Sequence, residues 1–530
     1  MAAVGMDTGP ATPTRLGAGS AIEPSLSQMG RDPLMFAKIR SLAQQSAVYG
    51  IGTILTRAIS FLLLPYYTHL MPPAELGIYS LFMVLVSITH PLYVHGTDIA
   101  LLKYGAPAKD PEERRHALGL ALTHAFFVGA VLSALLALFG GTVAKVVYSG
   151  AGPREYTLVL FSTGFMLTDT LGYHIFTFLR IQRKPLLFSM LKLSNVLVNI
   201  GLNIYLVGYL KQGVTGAFAA FFYTSALTFA VLLMIVLKDI RLNWHWSEVK
   251  QWLRFGLPNL PAMLFVVAVE FSDRKWIESL MSVADAGLYS AGYRIGMLMN
   301  MMAQAFRFAW QPFFLQHAED EDAKPLFARV LTYYIAFAGW VWLGCALLLG
   351  PLLRFNFFGA GSIIHPDYWA GLQIFPIVMF AHIFNGIYAN LMVGIYLKEK
   401  TKIIPMVVGV AAVVNIVGNG LLIPIYGYMA SAWLTVASYG IMAVLMFLYI
   451  APRYPLPYEW DRIIRIALTI GAFYGVAVSI TGGLGPDVGQ GLAIPIRIGI
   501  VAAVPIVWYH YILADDEKQA LRRRFGKDSQ

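Results

Sequence analysis

Long, unbroken apolar runs follow one another along this 530-residue chain, and they restrict its fold more than any other feature. A bilayer core about 30 Å thick requires roughly 20 apolar residues per helical crossing, and windows of this length recur almost to the end of the sequence. Charged residues make up 13% of the chain, whereas a soluble domain has roughly 25%. Strands of a membrane barrel would alternate apolar and polar residues over about 10 positions. The sequence therefore predicts an all-α, polytopic membrane protein.

The lengths of the apolar runs predict about 14 membrane-spanning helices. Their predicted boundaries are 47–70, 76–101, 117–140, 157–179, 186–209, 214–237, 255–278, 284–309, 327–350, 369–395, 403–424, 427–450, 463–482 and 491–513. Residues 1–46 are rich in Ala, Gly, Pro, Thr and Ser, which predicts a disordered cytoplasmic tail. Residues 514–530 are predicted to form a basic cytoplasmic tail.

The distribution of Lys and Arg predicts the orientation in the membrane. Loops on one side of the predicted spans hold most of the 39 basic residues. The loops on the other side hold only Lys145, Arg154, Lys211 and Arg354. Short loops rich in Lys and Arg remain in the cytoplasm, so both termini are predicted to be cytoplasmic.

Two motifs occur twice and divide the chain into halves. LMPPAELGIYS, which begins at Leu70, is matched by LMSVADAGLYS from Leu280, and VNIGLN from Val198 is matched by VNIVGN from Val414. Six spans lie between matching motifs, and because six is even, both copies point the same way across the membrane. This pattern predicts two six-helix lobes related by a pseudo-two-fold axis along the membrane normal. The predicted units are an N-terminal lobe at 47–237, a C-terminal lobe at 255–450 and two extra spans within 463–513.

Ionised residues in the N-terminal lobe are candidates for a substrate pathway, because charge at bilayer depth usually faces protein or water. Arg57 lies in the first span, Asp169 in the fourth and Lys192 in the fifth. Lys192 shares a helix face with Asn195, Asn199 and Asn203. We favour the pathway for Lys192 and bonds between helices for the asparagines. The alternative is a structural pair between Asp169 and either Arg57 or Lys192.

Spans seven and eight carry most of the charge of the C-terminal lobe. Glu270, Asp273 and Arg274 share one helix face, which predicts a structural or coupling charge cluster. Arg294 is predicted to meet that cluster, with the pathway as its alternative place. A stripe along the eighth span is the best candidate for a pathway wall, and its residues are Tyr289, Tyr293, Asn300, Gln304 and Arg307.

Sequence motifs for catalysis, metals and cofactors are missing from the chain. It has no GxxxxGK[ST], HExxH, CxxC or GxSxG pattern, so neither an enzyme nor a bound cofactor is predicted. Its one cysteine, Cys345, lies in an apolar run. The histidines of the spans, His90, His124, His174 and His382, show no metal-ligand spacing. The net charge of +10 falls in membrane loops, which argues against nucleic acid as a partner.

A series of short segments resembles Wzx-type flippases of polysaccharide or O-antigen repeat units, in the multidrug/oligosaccharidyl-lipid/polysaccharide exporter superfamily. The segments are AELGIYS, WLRFGLP, FSDR, AGLYSAGYR, AWQPFF, KTKIIP and VVNIVGNGLLIPIYGY, in that order within roughly residues 40–470. The resemblance implies two lobes around a central cavity in the bacterial inner membrane. It implies transfer of undecaprenyl-diphosphate-linked oligosaccharide from the cytoplasmic to the outer leaflet by alternating access. It also implies membrane lipid, a polysaccharide polymerase and the chain-length machinery as partners.

A cationic cavity would suit that substrate, because a diphosphate must cross a slab of low dielectric constant. Arg57, Lys192 and Arg307 are the predicted cations, with Arg294 as a fourth. A cation-coupled multidrug exporter and a lipid II flippase of the same superfamily are the alternatives. A membrane glycosyl polymerase or ligase is a third alternative. Such enzymes use a large outer loop, which this chain lacks.

Overall fold

The computed structural model of the chain describes residues 63–108, 110–240, 244–356, 361–482, 489–513 and 517–518. The predicted N-terminal tail, most of the first predicted span with Arg57, and nearly all of the C-terminal tail lie outside these residues. Within the described part, the chain forms helices and connections, with one isolated bridge between Asn356 and Ser362.

The N-terminal half contains five long helices and three short ones. They are α1 (Leu63–Leu70), α2 (Pro73–Val94), α3 (Thr97–Gly105), α4 (Pro111–Leu138), α5 (Gly140–Val147), α6 (Pro153–Ile181), α7 (Pro185–Asn203) and α8 (Gly213–Val236). Four of the long helices begin on proline, which fits the first turn because no helix hydrogen bond is required there. Asp110 caps α4 by accepting a hydrogen bond from the backbone N–H of Glu112.

The C-terminal half begins with a short connecting helix. Its helices are α9 (Trp246–Gly256), α10 (Leu260–Leu280), α11 (Val283–Gln316), α12 (Ala323–Arg354), α13 (Phe375–Leu397), α14 (Ile404–Tyr426), α15 (Tyr428–Ile450), α16 (Trp460–Gly482) and α17 (Gly489–Tyr511). The predicted spans end at 237 and resume at 255, so the sequence predicts a loop over most of α9. One face of α9 buries Val249 and Trp252, and this packing stabilises the helix.

Ten helical stretches of the described chain are long and apolar enough to cross a membrane. Helices α6, α10 and α11 have 29, 21 and 34 residues, but they carry ionised residues of the predicted pathway or of the predicted charge cluster, and they fall outside those ten. The first predicted span lies mostly outside the described residues. These two facts account for the difference from the predicted number, and the protein is a polytopic, all-α membrane protein.

The second predicted span is broken near one end. His95 and Gly96 adopt positive φ angles of 35° and 77°, which end α2 and start α3 in a new direction. Glycine suits Gly96 because left-handed backbone is costly for other residues. A Cβ there would also lie 2.6 Å from the backbone of Gly256, so the break brings the end of α2 close to the end of α9.

Packing within each half links neighbouring helices, and α2 links the halves. In the first half α6 packs against α4 and α8, and in the second half α13 packs against α11 and α15. Helix α2 packs against both α10 and α11. The two extra helices, α16 and α17, pack on α12, where the Trp340 indole donates a hydrogen bond of 3.0 Å to the Val501 carbonyl.

Candidate functional site

The two copies of the first repeated motif, LMPPAELGIYS and LMSVADAGLYS, meet where the halves join. A Cβ on Gly77 would lie 1.8 Å from the Val283 carbonyl oxygen, and a Cβ on Gly287 would lie 1.9 Å from the Pro73 carbonyl oxygen. Pro73 and Gly77 occupy the same motif positions as Val283 and Gly287. The contact is therefore reciprocal about the pseudo-two-fold axis. We call these four residues the glycine crossing.

Further bonds between the halves surround the glycine crossing. The Tyr368 hydroxyl donates a hydrogen bond of 2.7 Å to the Met71 carbonyl. Burial raises the pKa of Tyr368, so this donor stays protonated. The backbone N–H of Ser149 donates to the Glu278 carboxylate at 3.1 Å. The halves are thus joined at the end where α2 and α11 begin.

The opposite end of α2 makes a second close contact, between Gly96 and Gly256. It lies 19 residues after Gly77, which corresponds to about 28 Å along a helix that rises 1.5 Å per residue. That length approaches the thickness of a bilayer core. Helix α2 therefore contacts the other half near both membrane faces.

Between these contacts, the N-terminal half holds an accessible set of ionisable side chains. His90 Nε2 on α2 lies 3.5 Å from Asp169 Oδ2 on α6, and these side chains keep 33% and 39% of their surface exposed. Lys192 on α7 lies within electrostatic range of Asp169, and its ammonium is 4.1 Å from the centre of the Phe176 ring. We call His90, Asp169 and Lys192 the N-half charge group.

The N-half charge group differs from the predicted pairs. If Asp169 forms a structural pair, the sequence predicts Arg57 or Lys192 as its partner, whereas the described partner is His90. Lys192 lies nearby without a salt bridge among the described contacts, and Arg57 lies outside the described residues. The helix periodicity places Asp169 on a face of α6, but only the packing of α2 against α6 brings His90 to it.

In the C-terminal half, the predicted charge cluster contains two buried residues, Asp273 and Arg274, and one half-buried residue, Glu270. Arg274 Nη1 lies 2.6 Å from Asp273 Oδ1, with side-chain exposures of 6% and 0%. The Tyr439 hydroxyl donates to Glu270 Oε1 at 3.3 Å. Such a buried, fully bonded pair is costly to break.

The predicted stripe on α11 divides into two parts. Tyr289 donates a hydrogen bond to Asp273, and the Tyr293 ring lies 4.2 Å from the Arg274 guanidinium, so both tyrosines complete the charge cluster. Further along α11, Asn300 and Arg307 contact a different helix, α13. Arg307 donates to Asn385 on α13 at 3.2 Å, and Asn385 donates to Asn300 at 3.3 Å. Gln304 is half-buried on the same face. A pathway role for this stripe stays a prediction.

Arg294 contacts the other half of the molecule. Its position on the helix predicts a contact with the seventh span, whereas the guanidinium lies 4.6 Å from the centre of the Tyr79 ring on α2. Tyr67 on α1 is also within its electrostatic range. Arg294 therefore lies across the boundary between the halves, close to the glycine crossing.

A sequence model of the family described as polysaccharide biosynthesis protein matches residues 68–354, more than half of the chain. The chain belongs to this polysaccharide biosynthesis family. Among curated proteins, none matches its sequence significantly.

Solved exporter structures share the fold of this polysaccharide biosynthesis protein. The lipid II flippase MurJ, in an inward closed conformation, is 15% identical with a TM-score of 0.71, and the match covers 88% of this chain and 99% of that one. An inward-facing multidrug resistance MATE family transporter of the MOP superfamily is 15% identical with a TM-score of 0.59, covering 78% and 96%. A mutant of the Vibrio cholerae MATE transporter VcmN has the same identity and coverage, with a TM-score of 0.52. The chain therefore combines membership of this family with the fold of these transporters.

The second repeated motif of this family member forms equivalent contacts in both halves. Asn199 on α7 donates to Thr224 on α8 at 3.4 Å, and its counterpart Asn415 on α14 donates to Ser438 on α15 at 3.3 Å. Asn195 donates to Thr228 in the same way, at 2.8 Å. The prediction that these asparagines join neighbouring helices is confirmed.

One further group was missed because its members are far apart in sequence. His116 at the start of α4 lies 2.8 Å from Glu248 on α9, and ligand atoms of His116, His245 and Glu248 lie within 4.8 Å of one another. This spacing would suit a metal ion, although the residues are partly exposed and the His116–Glu248 contact also links α9 to α4. The signal in the sequence was only the H-x-x-E spacing of His245 and Glu248.

Proposed function

We propose that this protein moves an undecaprenyl-diphosphate-linked polysaccharide repeat unit from the cytoplasmic to the outer leaflet of a bacterial inner membrane. The polysaccharide biosynthesis family and the exporter fold support this substrate class and this kind of transport. With both termini in the cytoplasm, as the loop charges predict, the glycine crossing lies at the outer face. The Gly96–Gly256 contact then lies at the cytoplasmic face.

The N-half charge group is the observation that carries the proposal. Asp273 and Arg274 are almost fully buried and bonded to each other, which suits a structural role. His90 and Asp169 instead keep about a third of their surface exposed, and Lys192 lies nearby. A diphosphate needs a cation at bilayer depth, which Lys192 would supply, because an unpaired anion is costly in a low dielectric. Arg294, at the boundary between the halves, is the second proposed cation.

Alternating access would open one face of the molecule while the other stays closed. The glycine crossing supports this reading, because two backbones in direct contact can close a gate completely. Its reciprocal geometry also lets one rigid-body rotation of the halves break both contacts together. The lipid tail would remain in the bilayer while the sugars pass between the halves.

A deletion strain of the source bacterium tests the substrate. We expect undecaprenyl-diphosphate-linked repeat units to accumulate, identified by mass spectrometry of extracted lipids, and to disappear when the gene is restored. Accumulation of lipid II would favour the peptidoglycan alternative. Unchanged lipids together with increased drug sensitivity would favour a multidrug exporter, and either result would overturn the proposal.

Restoring the gene with variants tests the site. Lys192→Ala removes the proposed phosphate contact, which is worth about 1.5–3 kcal/mol for a charged hydrogen bond, or roughly 10- to 150-fold in binding. Lys211→Ala is a matched control, because Lys211 is exposed in the loop between α7 and α8. We expect export to fall with the first variant only. Full export by Lys192→Ala and by Arg294→Ala would remove the cationic site from the proposal.

A further inference from the structure

Histidines that are scattered in the sequence gather in the N-terminal half. His90 lies on α2, His95 follows its end, His124 lies on α4 and His174 lies on α6. The His95 and His124 rings have centres 4.9 Å apart, and His124 lies 5.7 Å from the ring of Trp244. Trp244 is exposed at the end of the molecule that we assign to the cytoplasm. The group therefore extends from this surface toward Asp169.

Several polar atoms of this group are buried without a hydrogen-bond partner. They are both ring nitrogens of His124, Nε2 of His95 and Oδ1 of Asp98. Both histidines are 6% exposed, so bulk water does not cover them. Burial without a partner is unfavourable, and ionisable groups at membrane depth that tolerate it commonly belong to proton or ion pathways. Internal water that bridges these atoms would satisfy them.

The polar side chains form a nearly continuous series from Asp169 to the surface. Asp169 lies 3.5 Å from His90, and the His90 ring lies 6.4 Å from the ring of Tyr173. The Tyr173 hydroxyl donates to Asp98 at 3.3 Å. Asp98 lies three residues after His95, which contacts His124. Water molecules would have to bridge the steps from His90 to Tyr173 and from Asp98 to His95.

His174 shows how this region accepts a proton without moving its heavy atoms. Its Nδ1 lies 2.7 Å from the Thr170 carbonyl and must donate to it, and its Nε2 lies 2.7 Å from the Thr97 hydroxyl. That hydroxyl also lies 2.7 Å from the Val94 carbonyl, but it has a single proton. When His174 is neutral, its Nε2 accepts the hydroxyl proton of Thr97. When His174 is charged, its Nε2 donates to the Thr97 oxygen, and the hydroxyl proton is donated to the Val94 carbonyl. Rotation of one hydroxyl therefore accommodates both states.

Metal binding is a weaker explanation for these histidines. Among the described residues, the three-ligand group close enough to hold an ion is His116, His245 and Glu248, and it contains none of the four. The series is extended rather than gathered around one point. A route suits this arrangement better than a coordination site.

We propose that His124, His95, Asp98, Tyr173 and His174 form a proton route between the cytoplasm and the His90–Asp169 pair. The inference rests on the proposed function. The charged groups near the pair are Lys192 on α7, Asp98 on α3 and Arg180 on α6, the last within range of Tyr173. A diphosphate beside Lys192 repels the Asp169 carboxylate and attracts a proton to the pair. Binding of the anion is then coupled to uptake of a proton from the cytoplasmic side.

Calorimetry of the full chain in lipid nanodiscs tests the coupling at equilibrium. Undecaprenyl diphosphate is titrated in two buffers of different ionisation enthalpy, and we expect a buffer-dependent heat that reports net proton uptake. The double variant His90→Gln and Asp169→Asn should still bind through Lys192 but lose the buffer dependence. Absence of binding to the wild-type protein would count against the proposed function. Binding without buffer dependence would overturn the proton route alone.

Flipping in proteoliposomes tests the route itself. An NBD-labelled polyprenyl diphosphate reports its leaflet by bleaching with dithionite, at several values of pH on the cytoplasmic side. We expect His124→Phe to slow flipping at least fivefold and to flatten its pH dependence. His382→Phe is a matched control, because His382 is fully buried with both ring nitrogens unpartnered, but lies in the C-terminal half.

Folding of the variants is checked by thermal unfolding. If His124→Phe unfolds early, His95→Gln replaces it, since that change keeps a polar side chain at the same step of the route. Equal flipping rates and equal pH profiles for the wild-type protein, His124→Phe and His382→Phe would overturn the proposal.

Discussion

Substitution of Gly77 by alanine should open the glycine crossing. The new Cβ would lie 1.8 Å from the Val283 carbonyl oxygen, whereas ordinary contact begins at 3.4 Å. The two helices must therefore separate locally by roughly 1.6 Å. The atom in the way belongs to the backbone, so a side-chain rotation cannot relieve the clash. Insertion of a methyl group into a packed contact costs about 1–3 kcal/mol.

That cost applies only while the crossing is closed, so it shifts the equilibrium between conformations. A difference of about 1–3 kcal/mol changes the ratio of closed to open molecules by roughly 5- to 150-fold. Electron paramagnetic resonance between two spin labels measures this ratio. Labels at Gln212→Cys and Asp367→Cys, on a Cys345→Ser background, mark exposed sites on different halves near the crossing. We expect a longer distance to become the major population.

A matched glycine provides the control. Gly201 lies in α7, and a Cβ there would meet nothing within 4 Å. Gly201→Ala should leave the distances unchanged, while the helix gains about 1 kcal/mol from the better propensity of alanine. If Gly77→Ala is folded and gives the same distances as Gly201→Ala, the crossing does not hold the halves closed, and this reasoning is refuted.

Three further substitutions test the contacts around the site. Asp273→Ala leaves Arg274 buried without its partner and should lower the free energy of unfolding by about 3–5 kcal/mol. An unchanged thermal midpoint in detergent would contradict the closed charge cluster. Tyr368→Phe removes the bond to the Met71 carbonyl, worth about 0.5–1.5 kcal/mol, and should shift the spin-label distances in the same direction as Gly77→Ala but by less. A shift toward shorter distances would show that this bond does not support closure. Asn199→Ala should lower stability by only about 0.6 kcal/mol, as is usual for one bond between membrane helices, and a loss several times larger would show that Asn199 does more than join α7 to α8.

Spacing along the chain predicted much of the fold and little of the site. Continuous apolar runs predicted helices because a membrane span must bond its own backbone. The repeated LMPPAELGIYS and LMSVADAGLYS motifs predicted two equivalent halves, and the reciprocal contact of Gly77 with Gly287 agrees with that prediction. The i, i+3, i+4 spacing of Glu270, Asp273 and Arg274 predicted their common face, since it involves one helix only.

Partners on different helices could not be read from periodicity. Beside a pathway role, the sequence left Arg57 and Lys192 as possible pair partners of Asp169, and the packing of α2 against α6 supplied His90 instead. Arg294 was assigned to the seventh span, and it reaches Tyr79 because α11 lies against α2. The four N-half histidines showed no spacing that would link them, since each lies on a different helix or on opposite sides of a bend.

The sequence by itself determined that the chain lies in a membrane and that it contains two similar halves. It also determined which ionised residues lie within the apolar spans. Apolar length, motif repetition and burial cost act along one helix at a time, so they are visible in the order of residues. The tertiary structure alone decided which charges meet and where the halves touch. Those outcomes depend on how close two helices approach, and at Gly77 and Gly287 that distance is set by the absence of a single carbon atom on each.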